Sequence, residues 1–150
     1  MSRKKEHWRD SSTRAFIKYA HLGCPTREER EKQIRQECYN KFALSNPSFI
    51  AVKADDAVAK KAGELKDIDA VNHVLDILQK QDKQHIIDAL RAVYFYDPHG
   101  KPSYGEIINR VKRFAYEYPS HERTVYRWLK SARLLFAKLR EFDTDEFDGW

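Results

Sequence analysis

Two cysteines, Cys24 and Cys38, are all the thiol in the 150-residue chain, too few for a disulfide framework. That scarcity sets the expectation of a reduced, cytoplasmic setting. Glycine and proline number five each, so turns should be few and helices continuous. No apolar run approaches the roughly 18 residues that a membrane span needs. Residues 1–9 are charged and no apolar stretch follows them, which argues against secretion. Strand-like alternation of useful length is missing too. The P-loop, G-x-S-x-G and G-x-G-x-x-G patterns are absent. The acid pairs Asp55/Asp56 and Asp67/Asp69 stand in weakly patterned or helix-surface positions, unlike the grouped carboxylates of a nuclease. His21, Cys24 and Cys38 lack the paired spacing of a structural zinc site, and Cys38 reads as a small hydrophobe on an apolar line. The expectation is an all-α protein that is not an enzyme, with no cofactor, metal, small-molecule substrate or membrane partner.

What the chain does have is charge, unevenly spread. Hydrophobic residues make up 41% and charged ones 34%, which favours a well-solvated helical protein. The net charge is +5, but residues 99–140 hold ten Lys/Arg against three Asp/Glu, a net +7. Residues 141–150 then hold five acids and no base. A basic module with an acidic tail points to contact with a polyanion.

Along the chain, residues 1–10 read as a flexible basic arm and 11–46 as an N-terminal helical segment with a possible oligomerising role. Within it, a helix capped by serine at 11 and stopped by Gly23 would bury Phe16, Ile17 and Ala20. A second helix starts at Pro25-Thr26, with Thr26 and Glu29 in capping-box spacing, and runs to Phe42 or Leu44. Its narrow seam of Ile34, Cys38 and Phe42, flanked by charges, suits either a dimer contact or light packing on its own domain. Residues 47–64 read as a linker or short helix capped by Asp55 or Asp56. From 65 to 141 the pattern gives a C-terminal bundle of four helices, and 142–150 is the acidic tail. Leu65, Ile68, Val71, Leu75 and Leu78 define one helix of that bundle; Ile86, Ile87, Leu90, Val93 and Tyr94 define the next.

The last two helices draw most attention. Ser103 and Glu106 stand in S-x-x-E spacing, and Tyr104, Ile107, Ile108 and Val111 form one apolar stripe. After Pro119, Ser120 is the expected N-cap of a helix over 121–139. Val125, Trp128, Leu129, Ala132, Leu135, Phe136 and Leu139 share its inner face. Arg123, Arg127 and Lys130 share the opposite meridian, flanked by Tyr126. Cations on consecutive turns near a helix start match what a recognition helix offers a major groove; a plain solvated face is the alternative. Residues 112–119, between the two helices, either extend the first helix by a turn or insert an aromatic wing.

The motifs Tyr104-Gly-Glu-Ile-Ile108 and Thr124-Val-Tyr-Arg-Trp-Leu-Lys-Ser-Ala-Arg133 resemble the region-four helix-turn-helix of bacterial sigma factors. More closely, they resemble phage-encoded late-gene transcriptional regulators of the RinA and ArpU type, over roughly residues 70–140. The resemblance implies a C-terminal sigma-like helix-turn-helix and a sequence-specific DNA-binding regulator carried by a phage or mobile element. It implies double-stranded DNA as partner, with RNA polymerase or a second copy (a homodimer) assisting. Ser120 and the N–H groups after it would meet a phosphate. Arg123 and Arg127 would reach base edges, with Thr124 beside them in the motif. Tyr126 and Lys130 would clamp backbone, and Lys101, Arg110, Lys112 and Arg113 would contact phosphates from the flanking helix. Two rivals stay open: a DNA-packaging adaptor like a small terminase subunit, oligomerising through 26–44, and a protein-binding inhibitor that uses the bundle without DNA.

Overall fold

The computed structural model describes residues 7–95 and 102–144, and among them it is all-α, with seven helices and no strand. In order these are α1 (Trp8–His21), α2 (Arg27–Lys41), α3 (Pro47–Lys60), α4 (Ala62–Lys80), α5 (Gln84–Val93), α6 (Tyr104–Glu117) and α7 (Glu122–Leu139). Residues 1–6, 96–101 and 145–150 lie outside the described residues, and with them most of the basic arm, the turn at 97–100 and most of the acidic tail.

Two of the expected caps are present. Thr26 accepts from the Glu29 N–H at 3.1 Å and Ser103 from the Glu106 N–H at 3.2 Å, each satisfying a donor that the first helical turn leaves unpaired. Glu106 does not complete a capping box, since its carboxylate pairs instead with Arg110 one turn on, at 3.5 Å. Elsewhere the start of α1 differs from the sequence reading, and of the two readings of 47–64 a helix is found, with a different cap. Helix α1 begins at Trp8, capped by His7, whose Nδ1 accepts from the Arg9 N–H at 3.2 Å. Trp8 is buried, and seating that large ring draws the helix start back past residue 11. Residues 47–60 are no linker: Asn46 caps α3 and Pro47 opens it, its ring pre-set for a first helical position. Asp55 and Asp56 therefore sit inside α3 rather than capping it.

The core is shared by α1, α4, α5, α6 and α7. Phe16, Leu65, Ile68, Val71, Val74, Leu90, Val93, Val111, Val125, Leu129 and Phe136 are all essentially excluded from water. Helix α1 lies parallel to α7, with Ser12 against Arg133 and Phe16 against Phe136 one turn later. The Ser12 hydroxyl, fully buried, lies 2.6 Å from the Trp8 carbonyl and 3.2 Å from that of Arg133. Helices α2 and α3 pair as a hairpin against α4. Of the seam on α2, Ile34 and Cys38 are buried inside this molecule and Phe42 meets Phe49 edge-on, while Tyr39 stays exposed.

Ion pairs tie the hairpin and α7 to α4. Glu64 stands between Arg30 (3.0 Å) and Lys18 (3.1 Å). Burial works to raise the Glu64 carboxyl, but Lys18 and Arg30 outweigh it and hold the group below its ordinary value. Asp67 receives Arg140 Nε at 2.7 Å, yet burial dominates there and pushes its carboxyl up.

Candidate nucleic-acid interface

The residues expected to meet a nucleic acid come from the α6–α7 pair. Helix α6 extends through Glu117, so the long intervening segment is resolved as an extension of the first helix, leaving only residues 118–121 between the two. Four residues is an ordinary connection for a compact helix pair. The Tyr118 N–H donates to the Phe114 carbonyl at 2.8 Å and the Ser120 N–H to that of Ala115 at 3.2 Å, closing the end of α6. None of these four residues has a positive φ, which is why Pro119-Ser120 serves where a glycine would otherwise be sought. Phe114 and Tyr118 stack at 5.2 Å, and Trp128 meets both edge-on, so aromatic packing fixes the turn against α7.

On α7, Val125, Leu129, Ala132 and Phe136 are buried as the apolar period demands, with Trp128, Leu135 and Leu139 half-buried beside them. Ala137 is buried as well, although it falls off that stripe, because α1 covers this flank. Arg133 is drawn into the same seam, with Nη1 3.4 Å from Thr13 Oγ1. The face left open thus lies on the first half of α7, where Arg123, Tyr126, Arg127 and Lys130 are exposed. Residues 122–131 span about 15 Å at 1.5 Å per residue.

The expected site residues divide by what their side chains already do. Arg123, Arg127, Lys130, Lys112 and Arg113 are exposed and make no hydrogen bond or ion pair among the described residues. Thr124 is half-buried beside them, and His121, Arg123, Thr124 and Arg127 line one shallow concavity at the start of α7. The N-cap there is His121 rather than Ser120, and no side chain caps the helix, which leaves its first N–H groups pointing outward. Ser120 has its N–H spent on Ala115 and its Oγ buried without a partner, so it offers nothing at the surface. It sits one residue too early to cap because the Ser120 N–H closes α6. Arg110 is also spoken for: Nη1 donates to the Val93 carbonyl at 2.9 Å, tying the end of α5 to α6. Lys101 lies outside the described residues.

Two tyrosines complete the surface. Tyr126 is 40% exposed; burial of the rest of its ring raises its phenol above 10.0, and the nearby Tyr104, Glu122 and Tyr94 add to that. The hydroxyl therefore stays protonated, a neutral donor. Tyr104 does not join the apolar stripe expected for it and is 80% exposed. As the first residue of α6 it has no preceding turn to lie over, so its side chain projects past the helix end. Tyr116, 89% exposed near the end of α6, is not singled out by the sequence within the aromatic stretch of 112–119, because three alternating rings, Phe114, Tyr116 and Tyr118, do not show which of them the core takes.

Other chemistry is not assembled here. His21, Cys24 and Cys38 do not gather, and no group of three or more His, Cys, Asp or Glu among the described residues is placed to hold a metal ion. No helix among the described residues is long and apolar enough to cross a membrane. No family model matches the chain, and neither a curated protein nor a solved structure shows significant similarity to it.

Proposed function

We propose that the chain is a sequence-specific regulator of transcription that binds double-stranded DNA, laying the first three turns of α7 in the major groove. The observation that carries this reading is the distribution of unpaired arginine. Arg27, Arg30, Arg35, Arg110 and Arg140 each hold a carboxylate; Arg113, Arg123, Arg127 and Arg133 on α6 and α7 hold none among the described residues, and neither does Arg91 on α5. Arg123 and Arg127, one turn apart on an exposed helix face, repel one another unless an anion covers them. The open 15 Å or so of α7 suits a groove about 12 Å wide. In this arrangement Arg123 and Arg127 read base edges, each bidentate contact being worth about 1–3 kcal/mol of discrimination. Tyr126, Lys130, Lys112 and Arg113 hold phosphates. The helix-turn-helix geometry and the likeness to phage late-gene regulators belong to the same proposal.

Its test is selection from a random duplex library, with wild type beside the Arg123→Ala/Arg127→Ala variant at two salt concentrations. Wild type should enrich one sequence family, and the variant should keep salt-sensitive binding while losing the enrichment. Absence of binding, or equal behaviour of the two proteins, would show the basic face to be a solvated surface. A second reading, a packaging adaptor that oligomerises through the hairpin, is favoured by Tyr39, Leu44, Phe49 and Val52, all exposed on or between α2 and α3. A defined ring-shaped oligomer in solution would support that adaptor; a monomer or dimer would remove it.

A further inference from the structure

The α2–α3 hairpin carries a groove of about 390 Å³ that neither the core nor the proposed DNA face uses. Its floor is apolar, made by Ile34, Cys38 and Phe42. Its rim carries Lys41, Lys53, Lys60 and Lys61, against which stand only Glu37 and Asp56. None of the four lysines forms an ion pair among the described residues. The hairpin's own arginines, Arg27, Arg30 and Arg35, by contrast all hold carboxylates. Four ammonium groups gathered around an apolar trough call for an occupant that is both acidic and aromatic.

The chain itself contains such a segment. Residues 145–150 read Asp-Glu-Phe-Asp-Gly-Trp, three acids with two large aromatics and no base. We propose that this segment docks, within its own molecule, in the groove between α2 and α3. Phe147 and Trp150 cover the apolar floor, and Asp145, Glu146 and Asp148 face the lysine rim.

The apolar floor, together with reach, distinguishes this site from the basic face of α7, the other cationic surface. Phe142 is seated edge-on against Phe136 at 6.1 Å, in a cleft that also includes Glu64. Lys61 precedes Glu64 by three residues, about 4.5 Å at the helical rise, so the near end of the groove adjoins that cleft. Six residues extend to about 20 Å, against about 12 Å for the eight residues from Ile34 to Phe42 along the floor. Counted from Phe136, Arg127 lies nine residues back along α7, about 13.5 Å, and Arg123 thirteen, about 19.5 Å, so the segment's length spans that face as well. The exposed face of α7 lacks an apolar floor, so only the groove matches both the acids and the aromatics of the segment.

Carbodiimide cross-linking of the full chain, which joins carboxylates to nearby lysines without a spacer, tests the placement. The expected links run from Asp145, Glu146 or Asp148 to Lys41, Lys53, Lys60 or Lys61 within one chain. Links to Lys130 or Lys112, an even spread over surface lysines, or links confined to cross-linked dimers would each overturn the proposal. Alkylation of Cys38, which lines the groove, gives an independent readout, with the exposed Cys24 as internal reference. A segment docked about nine-tenths of the time should slow Cys38 about tenfold, so Phe147→Ser/Trp150→Ser should restore that factor and leave Cys24 unchanged. Lys53→Glu/Lys60→Glu, which alters only exposed side chains, should act alike. An unchanged Cys38 rate in both variants would sink the idea.

Discussion

Glu64 and Asp67 sit one turn apart on α4 and respond to pH with opposite signs. The Glu64 carboxyl lies below its ordinary value when folded, so its charged form stabilises the protein above about pH 4.5 and that contribution is lost as pH falls through the folded value. Asp67 is pushed up by burial, so its charge costs stability at neutral pH and the cost fades on acidification. Glu64→Gln should lower the urea midpoint clearly at pH 7, since it strands Arg30, and the deficit should shrink at pH 3. Asp67→Asn, which keeps an acceptor for Arg140, should be neutral or stabilising at pH 7. Both are read from urea melts at the two pH values. Backbone strain gives a separate expectation. Glu141 ends α7 with φ 59°, a left-handed conformation that costs an L-residue about 1 kcal/mol or more, so Glu141→Gly should raise stability by roughly 0.5–1 kcal/mol in the same melts.

At the scale of elements, α6 and α7 hold arginines of two kinds. Arg110 is bonded to the last carbonyls of α5, so Arg110→Ala leaves the Val93 carbonyl short of a donor and should cost about 1–2 kcal/mol. Arg123→Ala and Arg127→Ala should each fall within about 0.5 kcal/mol of wild type, since neither side chain supports the fold. Denaturation of the three variants separates the roles without any DNA present. An Arg127→Ala loss as large as that of Arg110→Ala would mean the α7 face is structural. The helical period made the inner face of α7 legible down to Val125, Leu129, Ala132 and Phe136. It could not show that α1 would bury Ala137 and engage Arg133, because a period reports one face and is silent about a second neighbour.

For the whole molecule, α1 is part of the core that α4 to α7 share. Phe16 packs between Tyr94 and Phe136, and removing it would open a large void in the middle of that core. A fragment starting at residue 62 should therefore lack a cooperative thermal transition, whereas the full chain should show one by circular dichroism. Electrostatics makes a second prediction at this scale. Five free cations, Lys112, Arg113, Arg123, Arg127 and Lys130, limit the slope of log affinity against log salt to about −4.5 per monomer, at 0.9 per phosphate. A steeper slope, measured by titration into duplex at several salt concentrations, would mean that a second copy or other cations take part.

Local signals determined the helical class, the caps at Thr26 and Ser103, and the inner face of α7, because each depends on residues within a few turns of one another. Asn46 and Pro47 likewise start α3 by a local signal, whereas the start of α1 at Trp8 and the loss of Ser120 and Arg110 as surface groups were decided only in three dimensions. In each case a partner distant along the chain, or a neighbouring helix end in need of a donor, took a group whose own neighbours left it free. Arg123, Arg127 and Lys130 kept their exposure for the opposite reason: no other part of the described chain comes near enough to claim them.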